Sequence, residues 1–406
     1  MTKVKLSTML FLQYLMMPVW FVPLLPYVRA LDGGSEWLFA FGLLMGVGTL
    51  ASPLVCMVAD RFFNAERVLA GCYAVHGALL AGAFLTTSPA VLFALMLPAV
   101  LAYMPTWSLS TAVAMAHVAP SEFPKLRVFG SFGWVASAAF SVVGTKAFGI
   151  VDFDLSHWIF ASGALVAFAG TLLALTLPAT PPKAKGSPLS LSEAFGLKAF
   201  TLFADRRFAA FFVLFLLAQV PFEWYMVYNP VYLSESGFKY LTLTQNVGQV
   251  AEVLLMLTVP LVVKRFGYRV AFASGIAAIA IRYAAFLGSV RFGVSALDFV
   301  GIFMQGAIFG YLVVVGQMFV GEQAPAALRN QAQGMVVLLA TGIGVFLSNG
   351  VFDALLKTAE RAGGHDWTMP FAVAGGLALA LAVAAWMLFR PGSSTPSIGR
   401  RRAENR

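Results

Sequence analysis

The charged side chains Glu223, Glu252 and Arg282 lie near the middle of long apolar runs of this sequence. A fourth, Arg127, stands at the start of another such run. A charge surrounded by apolar residues is expensive and usually marks a water-filled path for a solute or an ion. A carboxyl group can also take up and release a proton. The two glutamates are therefore candidates for proton coupling, and Arg127 and Glu252 are candidates for contact with a polar ligand.

Polar and aromatic residues near these charges repeat at three- and four-residue intervals, which puts them on single faces of helices. The three sets are Gln245, Gln249 and Glu252; Arg127, Ser131 and Trp134; and Gln305 with Phe309. Hydrogen-bonding groups beside a flat ring suit a small polar ligand that itself carries a ring. The alternative is that the polar members only bond one helix to another.

The composition identifies the elements that carry these residues. The chain has 406 residues, of which 60% are hydrophobic and 11% charged. A soluble domain carries about 25% charged residues, and a disordered chain has low hydrophobicity, so both classes are excluded. The two cysteines, Cys56 and Cys72, are too few for a disulfide scaffold or a multi-cysteine metal site. The composition predicts an all-α polytopic membrane protein.

Twelve apolar runs are long enough to cross a bilayer, which takes about 20 residues each. They cover 8–28, 37–58, 67–87, 90–117, 128–148, 157–177, 207–233, 245–263, 270–289, 295–320, 328–355 and 367–389. Lysine and arginine gather on the side of the runs that holds both termini, which predicts that both termini are cytoplasmic in the cell inner membrane. The net charge of +9 then comes from these cytoplasmic basic residues, which are attracted to the anionic lipid of the bilayer. We therefore expect no nucleic-acid partner.

A stretch rich in Pro, Gly, Ser and Lys after the sixth run divides the runs six and six. The predicted organisation is a six-helix half at 1–178, a cytoplasmic linker with a short amphipathic helix at 179–206, a second six-helix half at 207–390 and a basic cytoplasmic tail at 391–406. Two such halves are typical of transporters, whose solute site lies between them. Prolines in the first and seventh runs are interpreted either as breaks that line this site or as simple kinks.

The loop after the second run begins with Asp60 and Arg61 and continues to Arg67. It resembles the cytoplasmic motif of the major facilitator superfamily, without the glycine that normally follows Asp-Arg. The resemblance implies that Asp60 and Arg61 latch the cytoplasmic side during gating, and the alternative is a solvated charged loop. The sequence contains no phosphate-binding loop, no Ser/His/Asp arrangement in a suitable context and no metal-ligand cluster. We therefore expect neither an enzyme nor a bound cofactor.

Matched segments along almost the whole chain resemble the bacterial nucleoside:proton symporters of the major facilitator superfamily. The segments are Phe11–Gln13, Ala102–Thr106, Phe123–Gly133, Gln249–Glu252, Thr258–Pro260, Arg282–Tyr283, Ala332–Met335 and Asp366–Trp367. The resemblance implies a twelve-helix fold with a 6+6 architecture and nucleoside binding by residues at the positions of Arg127, Gln249, Glu252 and Phe309. Ser131 and Trp134 stand where the family has Thr and Phe.

Four positions depart from that family. Glu223 and Met226 stand where Gln and Asn are expected, Gln305 replaces a Tyr, and Gly310 replaces a functionally important Asp. Because a carboxylate is lost at Gly310 and one is gained at Glu223, we predict that Glu223 carries the proton and that Glu252 is chiefly a substrate ligand.

The resulting expectation is a monomeric secondary transporter that imports nucleosides, or a similar polar ring compound, together with protons. Two alternatives remain open. One is a major facilitator carrier of another solute, such as a sugar or an exported metabolite. The other is an intramembrane enzyme or sensor.

Overall fold

Long apolar helices build the protein, which we describe from a computed structural model covering residues 2–119, 122–182, 185, 195, 197–325, 328–361 and 363–389. The first helix group comprises α1 (Thr2–Ala30), α2 (Leu38–Gly42), α3 (Leu44–Arg61), α4 (Ala65–Phe84), α5 (Pro89–Tyr103), α6 (Pro105–His117), α7 (Phe123–Ala136), α8 (Ala138–Lys146) and α9 (Trp158–Ala174). Short 3₁₀ helices follow at Gly34–Trp37 and Phe153–Leu155 within this group.

The second helix group comprises α10 (Arg206–Glu235), α11 (Leu241–Met256), α12 (Val259–Phe292), α13 (Ala296–Ile308), α14 (Val315–Gln323), α15 (Arg329–Val337), α16 (Gly344–Ala359) and α17 (Thr368–Leu388). A short hairpin of β1 (Glu360–Arg361) and β2 (Gly364–His365) pairs antiparallel between α16 and α17. Of the predicted linker helix, the described part is a 3₁₀ helix at Leu197–Ala204; its earlier residues and the tail at 391–406 lie outside the described residues.

Several of these helices have the length and composition of membrane spans. In the described ranges, nine helical segments are long and apolar enough to cross a bilayer, and Trp158–Ala174 is a shorter apolar helix. The polytopic α-helical class expected from composition is therefore confirmed.

Glycines bring the helices of the site close together. A Cβ atom at Gly133 of α7 would collide with the Phe11 carbonyl oxygen of α1, and one at Gly306 of α13 would collide with the Ala251 carbonyl oxygen of α11. Small residues of this kind let helix backbones approach closely in a membrane, where no hydrophobic effect drives helices together. The sequence therefore holds α7 against α1 and α13 against α11.

The prolines of the first and seventh runs do not interrupt their helices. Helix α1 is continuous through three prolines and α10 is continuous through Pro221 and Pro230. Irregular backbone occurs elsewhere, as π-helical segments at Phe309–Val314 and Leu338–Ile343. Packed neighbours can satisfy the backbone groups that proline leaves free, and both helices stay continuous.

The two helix groups are joined at one end of the molecule. We call the end where α1 begins the terminal end and the end where α1 finishes the distal end. The distal contacts are an ion pair between Arg29 and Glu235 and hydrogen bonds from Leu241 N to Asp154 Oδ2 (2.7 Å), from Asn349 Nδ2 to the Gly42 carbonyl (3.1 Å) and from Asn246 Nδ2 to the Val135 carbonyl (2.9 Å). A longer bond from the Thr242 N–H to Asp154 (3.5 Å) lies at the same end.

Candidate solute-binding site

Helices α7 and α11 face each other across the two groups and run antiparallel. The Asn246–Val135 hydrogen bond fixes their register. Arg127 precedes Val135 on α7 and Glu252 follows Asn246 on α11, so the antiparallel packing brings Arg127 and Glu252 toward each other. The Arg127 charge acts on the Glu252 carboxyl. The two polar sets predicted on separate helices therefore form one opposed pair of surfaces.

An aromatic ring from a third helix completes this contact. The Arg127 guanidinium carbon lies 3.9 Å from the centroid of the Tyr14 ring of α1. Such stacking of a cation on a ring is favourable by roughly 0.5–2 kcal/mol. Tyr14 is also within electrostatic range of Glu252 and packs edge-on to Trp107 with centroids 4.5 Å apart. Sequence reasoning missed Tyr14, because one tyrosine in an apolar span carries no spacing signal.

Two amide side chains engage Glu252 from its own group. Gln249, one turn earlier on α11, and Gln305 on α13 both lie near the Glu252 carboxyl and act on it. Gln305 is buried, whereas Arg127, Gln249 and Glu252 are half-buried and keep part of their surface accessible. An arginine, a carboxyl and two amides thus offer donors and acceptors at one accessible place.

The remaining predicted contacts continue these surfaces. Ser131 and Trp134 follow Arg127 on α7 at intervals of four and three residues and are half-buried. Phe309 lies one turn after Gln305, at the first residue of the π-helical segment, and is also half-buried. In the part of the chain that the structure describes, neither Trp134 nor Phe309 stacks on another ring, and both keep part of their surface accessible.

Gly310 points away from this space. A Cβ atom there would lie 3.1 Å from Cγ2 of Val259, where α11 meets α12. A longer side chain at this position would have to displace that packing. Close helix packing thus occupies the position where the resemblance implies a carboxylate.

Glu223 lies apart from the Arg127–Glu252 group. It is half-buried on α10, and a Cβ atom at Gly344 of α16 would lie 3.9 Å from its Cγ. Within the described ranges, its carboxyl group has no hydrogen-bond or ion-pair partner, and no other charge acts on it. The structure therefore does not bring the two predicted proton-coupling residues together.

Buried hydrogen bonds hold α1 behind the site. Gln13 is fully buried, donates to Thr106 Oγ1 (2.9 Å) and accepts from the Tyr73 hydroxyl, while the Tyr103 hydroxyl donates to the Gln13 carbonyl (2.9 Å). Buried polar networks of this kind rigidify a core when every member is satisfied. Gln13 and Thr106, found in the matched segments, thereby position Tyr14 one residue further along α1.

The predicted gating residues lie at the terminal end of α3. Asp60 is exposed and Arg61 is half-buried. Both are remote in the fold from the distal contacts that join the two helix groups. The gating role of Asp60 and Arg61 stays a prediction.

Replacing Asp60 tests this gating role. Asp60→Asn should slow transport while equilibrium binding of solute stays within a few-fold, because the change removes a charge outside the site. Transport rates in proteoliposomes and binding to purified protein measure the two effects. Glu36→Gln is the control, since Glu36 is an exposed acid at the other end of the same span. A large loss of binding with normal turnover of bound solute would contradict the assignment.

Membrane-spanning helices in two groups, with an opposed arginine and glutamate between them, define a membrane carrier for a small polar solute. The family described as "Nucleoside H+ symporter" matches residues 1–394. The chain belongs to this family, which confirms the resemblance found in the sequence.

Similar proteins support the same assignment. YegT of Escherichia coli K12 is 33% identical over 355 residues, covering 85% of this chain and 82% of YegT. The xanthosine permease of Escherichia coli K12 is 28% identical over 400 residues, covering 93% and 94%. The crystal structure of the nucleoside transporter NupG superposes with a TM-score of 0.83 at 25% identity, covering 96% of this chain and 99% of NupG. The protein is thus a multi-pass transporter with the fold of NupG, a major facilitator carrier.

Proposed function

We propose that this protein imports nucleosides with protons across the cell inner membrane by alternating access, with no chemical conversion of the solute. The observation that carries this proposal is the opposition of Arg127 and Glu252 across the two helix groups. A solute bound between the groups can be exposed to either side when the groups rock against each other.

Twelve spans in a 6+6 arrangement account for the helices. Residues 1–178 form one half, 179–206 the linker, 207–390 the second half and 391–406 the tail. Helix α12 supplies parts of two spans, because Gly267 interrupts it with φ +79°. Both termini are then cytoplasmic, as the positive-inside rule predicts, and the chain functions as a monomer.

The contacts between the groups indicate which side is closed. With the termini inside the cell, the terminal end is cytoplasmic and the distal end faces outward. Because the Arg29–Glu235 ion pair and the Leu241–Asp154 hydrogen bond join the groups at the distal end, we infer that the conformation is closed to the outside.

The side chains of the site suit the two parts of a nucleoside. Gln249, Glu252 and Arg127 can hydrogen-bond ribose hydroxyls and base edges, and Ser131 and Gln305 add further polar groups. Trp134 or Phe309 can stack on the base, where offset aromatic contacts contribute about 0.5–1.5 kcal/mol. Hydrogen bonds fix the orientation of the ligand and stacking selects for a flat ring.

Single substitutions at these contacts should weaken binding. Loss of one buried hydrogen bond costs roughly 1–3 kcal/mol, so Gln249→Ala should lower nucleoside affinity several-fold or more, and Trp134→Ala should act through lost stacking. Titration calorimetry on purified protein gives both affinities. Gln323→Ala, exposed at the end of α14, is the control. If Gln249→Ala and Trp134→Ala both bind nucleoside with unchanged affinity, this site is not the binding site.

Departures at Gly310, Gln305 and Glu223 favour a second candidate, a carrier of another polar solute such as a sugar. Uptake into proteoliposomes under an imposed pH gradient, with a panel of nucleosides and sugars as competitors, separates the two. Nucleosides should compete best. Preferential uptake of a sugar would support the second candidate, and no solute flux at all would contradict a carrier function.

A further inference from the structure

A fully buried arginine stands behind the site. Arg282 of α12 is 0% exposed, and no carboxylate of the described residues lies within 4 Å of it. Its Nη1 atom has no hydrogen-bond partner there. A charge inside a membrane span is costly and is retained where it serves a function. Ordinary helix-to-helix bonding would be served by a neutral side chain at lower cost.

The contacts of Arg282 lead directly to the site. Its Nη2 donates to Gln305 Oε1 (2.7 Å) and its Nε donates to the Gly301 carbonyl (3.1 Å), both on α13. Its guanidinium carbon lies 3.6 Å from the centroid of the Tyr225 ring. The Tyr225 hydroxyl in turn donates to Gln245 Oε1 (2.8 Å). Arg282 is therefore connected to α13 through Gln305 and to α11 through Tyr225.

These bonds determine the orientation of the Gln305 amide. A guanidinium has only donors, so the Gln305 atom that faces Arg282 must be the carbonyl oxygen. The amide NH₂ is then the group left to face α11, where Gln305 packs against Gly248 and acts on the Glu252 carboxyl. Without Arg282, the oxygen and nitrogen of this amide could exchange places by a simple flip.

We propose that Arg282 is a positioning residue for solute binding: it holds the Gln305 oxygen and thereby presents the Gln305 NH₂ group to Glu252. The orientation of the Gln305 donor thereby sets the direction in which the Glu252 carboxyl meets the solute. Arg282 itself is separated from the solute by Gln305 and Tyr225. This inference rests on the proposed function, because it takes Glu252 as a ligand of the solute.

Three variants of the full-length protein test the role of Arg282, with uridine as the probe. Arg282→Met should lower uridine affinity about tenfold or more, because the Gln305 amide loses its fixed orientation. Arg282→Lys should restore part of the affinity, since an ammonium can still donate to Gln305. The control is Arg269→Met. Arg269 lies at the terminal end of the same helix, where it stacks on the Trp386 ring (4.6 Å) and donates to the Trp386 carbonyl (2.5 Å). The Arg269→Met variant should bind uridine normally.

Gln305→Glu separates positioning from a purely structural role. The variant keeps an oxygen for Arg282, now as an ion pair, and so protects the fold if Arg282→Met fails to fold. It replaces the donor facing Glu252 with a second carboxylate oxygen. Uridine binding should be lost at alkaline pH and regained at acidic pH, where a proton can be shared between the two carboxyl groups. Binding of uridine at wild-type affinity by Gln305→Glu at every pH would overturn the proposal.

A measurement without solute keeps the two proposals distinguishable. Infrared difference spectra contain a Glu252 carboxyl band, identified by its loss in Glu252→Gln. This band should change frequency in Arg282→Met and stay unchanged in Arg269→Met, because only the first alters the Gln305 amide that acts on Glu252. An unchanged band in Arg282→Met would overturn the positioning role. Failure of the wild-type protein to bind any nucleoside would instead contradict the proposed function.

Discussion

Replacement of Glu223 by glutamine is expected to abolish uptake against a concentration gradient when a pH gradient is the driving force. Glutamine keeps the shape of the side chain but cannot exchange a proton. Coupling requires that the protonated and ionised forms of one group differ in their affinity for solute or in the conformation they favour. Glu223 is suited to this role because its half-buried carboxyl group has no partner among the described residues.

The same variant should still catalyse counterflow, the exchange of labelled for unlabelled solute, because exchange needs no net proton movement. Uptake and counterflow are measured in the same proteoliposomes. Asp353→Asn is the control: this carboxylate lies on α16 and is paired with Lys357 at 2.8 Å, so it is already neutralised. If Glu223→Gln accumulates solute at the normal rate, the proton carrier lies elsewhere and Glu252 becomes the candidate.

Helical periodicity predicted the members of the site but not their arrangement. Spacing along one helix places Gln249 and Glu252 on one face, and Arg127 and Ser131 on another. It cannot say which helices face each other, because that depends on packing between distant segments. The approach of Arg127 to Glu252 follows from the antiparallel contact of α7 and α11, which becomes visible only in three dimensions.

Two features of the site were not predictable from residue type. Tyr14 joins it through a cation–ring contact with Arg127, and Arg282 joins it through Gln305. Arg282 was recognisable in the sequence as an expensive charge, but its partner was not, since Gln305 lies on the next span. The π-helical segment that begins at Phe309 likewise contains no proline from which irregular backbone could be predicted.

The distal closure contains a buried carboxylate that links the two helix groups. Asp154, in the 3₁₀ helix Phe153–Leu155, is 1% exposed. Its Oδ2 accepts from Ser141 Oγ (3.0 Å) in its own group and from the Leu241 N–H (2.7 Å) at the start of α11. Its Oδ1 has no partner among the described residues. Burial raises the pKa of Asp154 to about 6, against the lowering effect of the hydrogen bonds from Ser141, Leu241 and Thr242.

Acid should therefore favour the closed distal end. When the groups separate there, Asp154 becomes exposed and its pKa returns toward the ordinary value of 3.8. The closed state then binds a proton more tightly than the open state. The stabilisation of closure is fully present below about pH 4 and is lost as the pH rises through about 6. A shift of about two pKa units corresponds to roughly 3 kcal/mol, or about a hundredfold change in the conformational equilibrium.

Asp154→Asn should remove this pH dependence and leave the distal end closed at neutral pH. The asparagine oxygen can still accept the Leu241 N–H, but the side chain stays uncharged at every pH. Spin labels at Phe148 and Lys239, exposed residues on the two groups, report the distance across the closure once Cys56 and Cys72 have been replaced by serine. In the otherwise unchanged protein the population with a long distance should grow as the pH rises through about 6, and Asp152→Asn, an exposed neighbour, should behave in the same way. A long-distance population in Asp154→Asn that still follows pH would show that another group controls the closure.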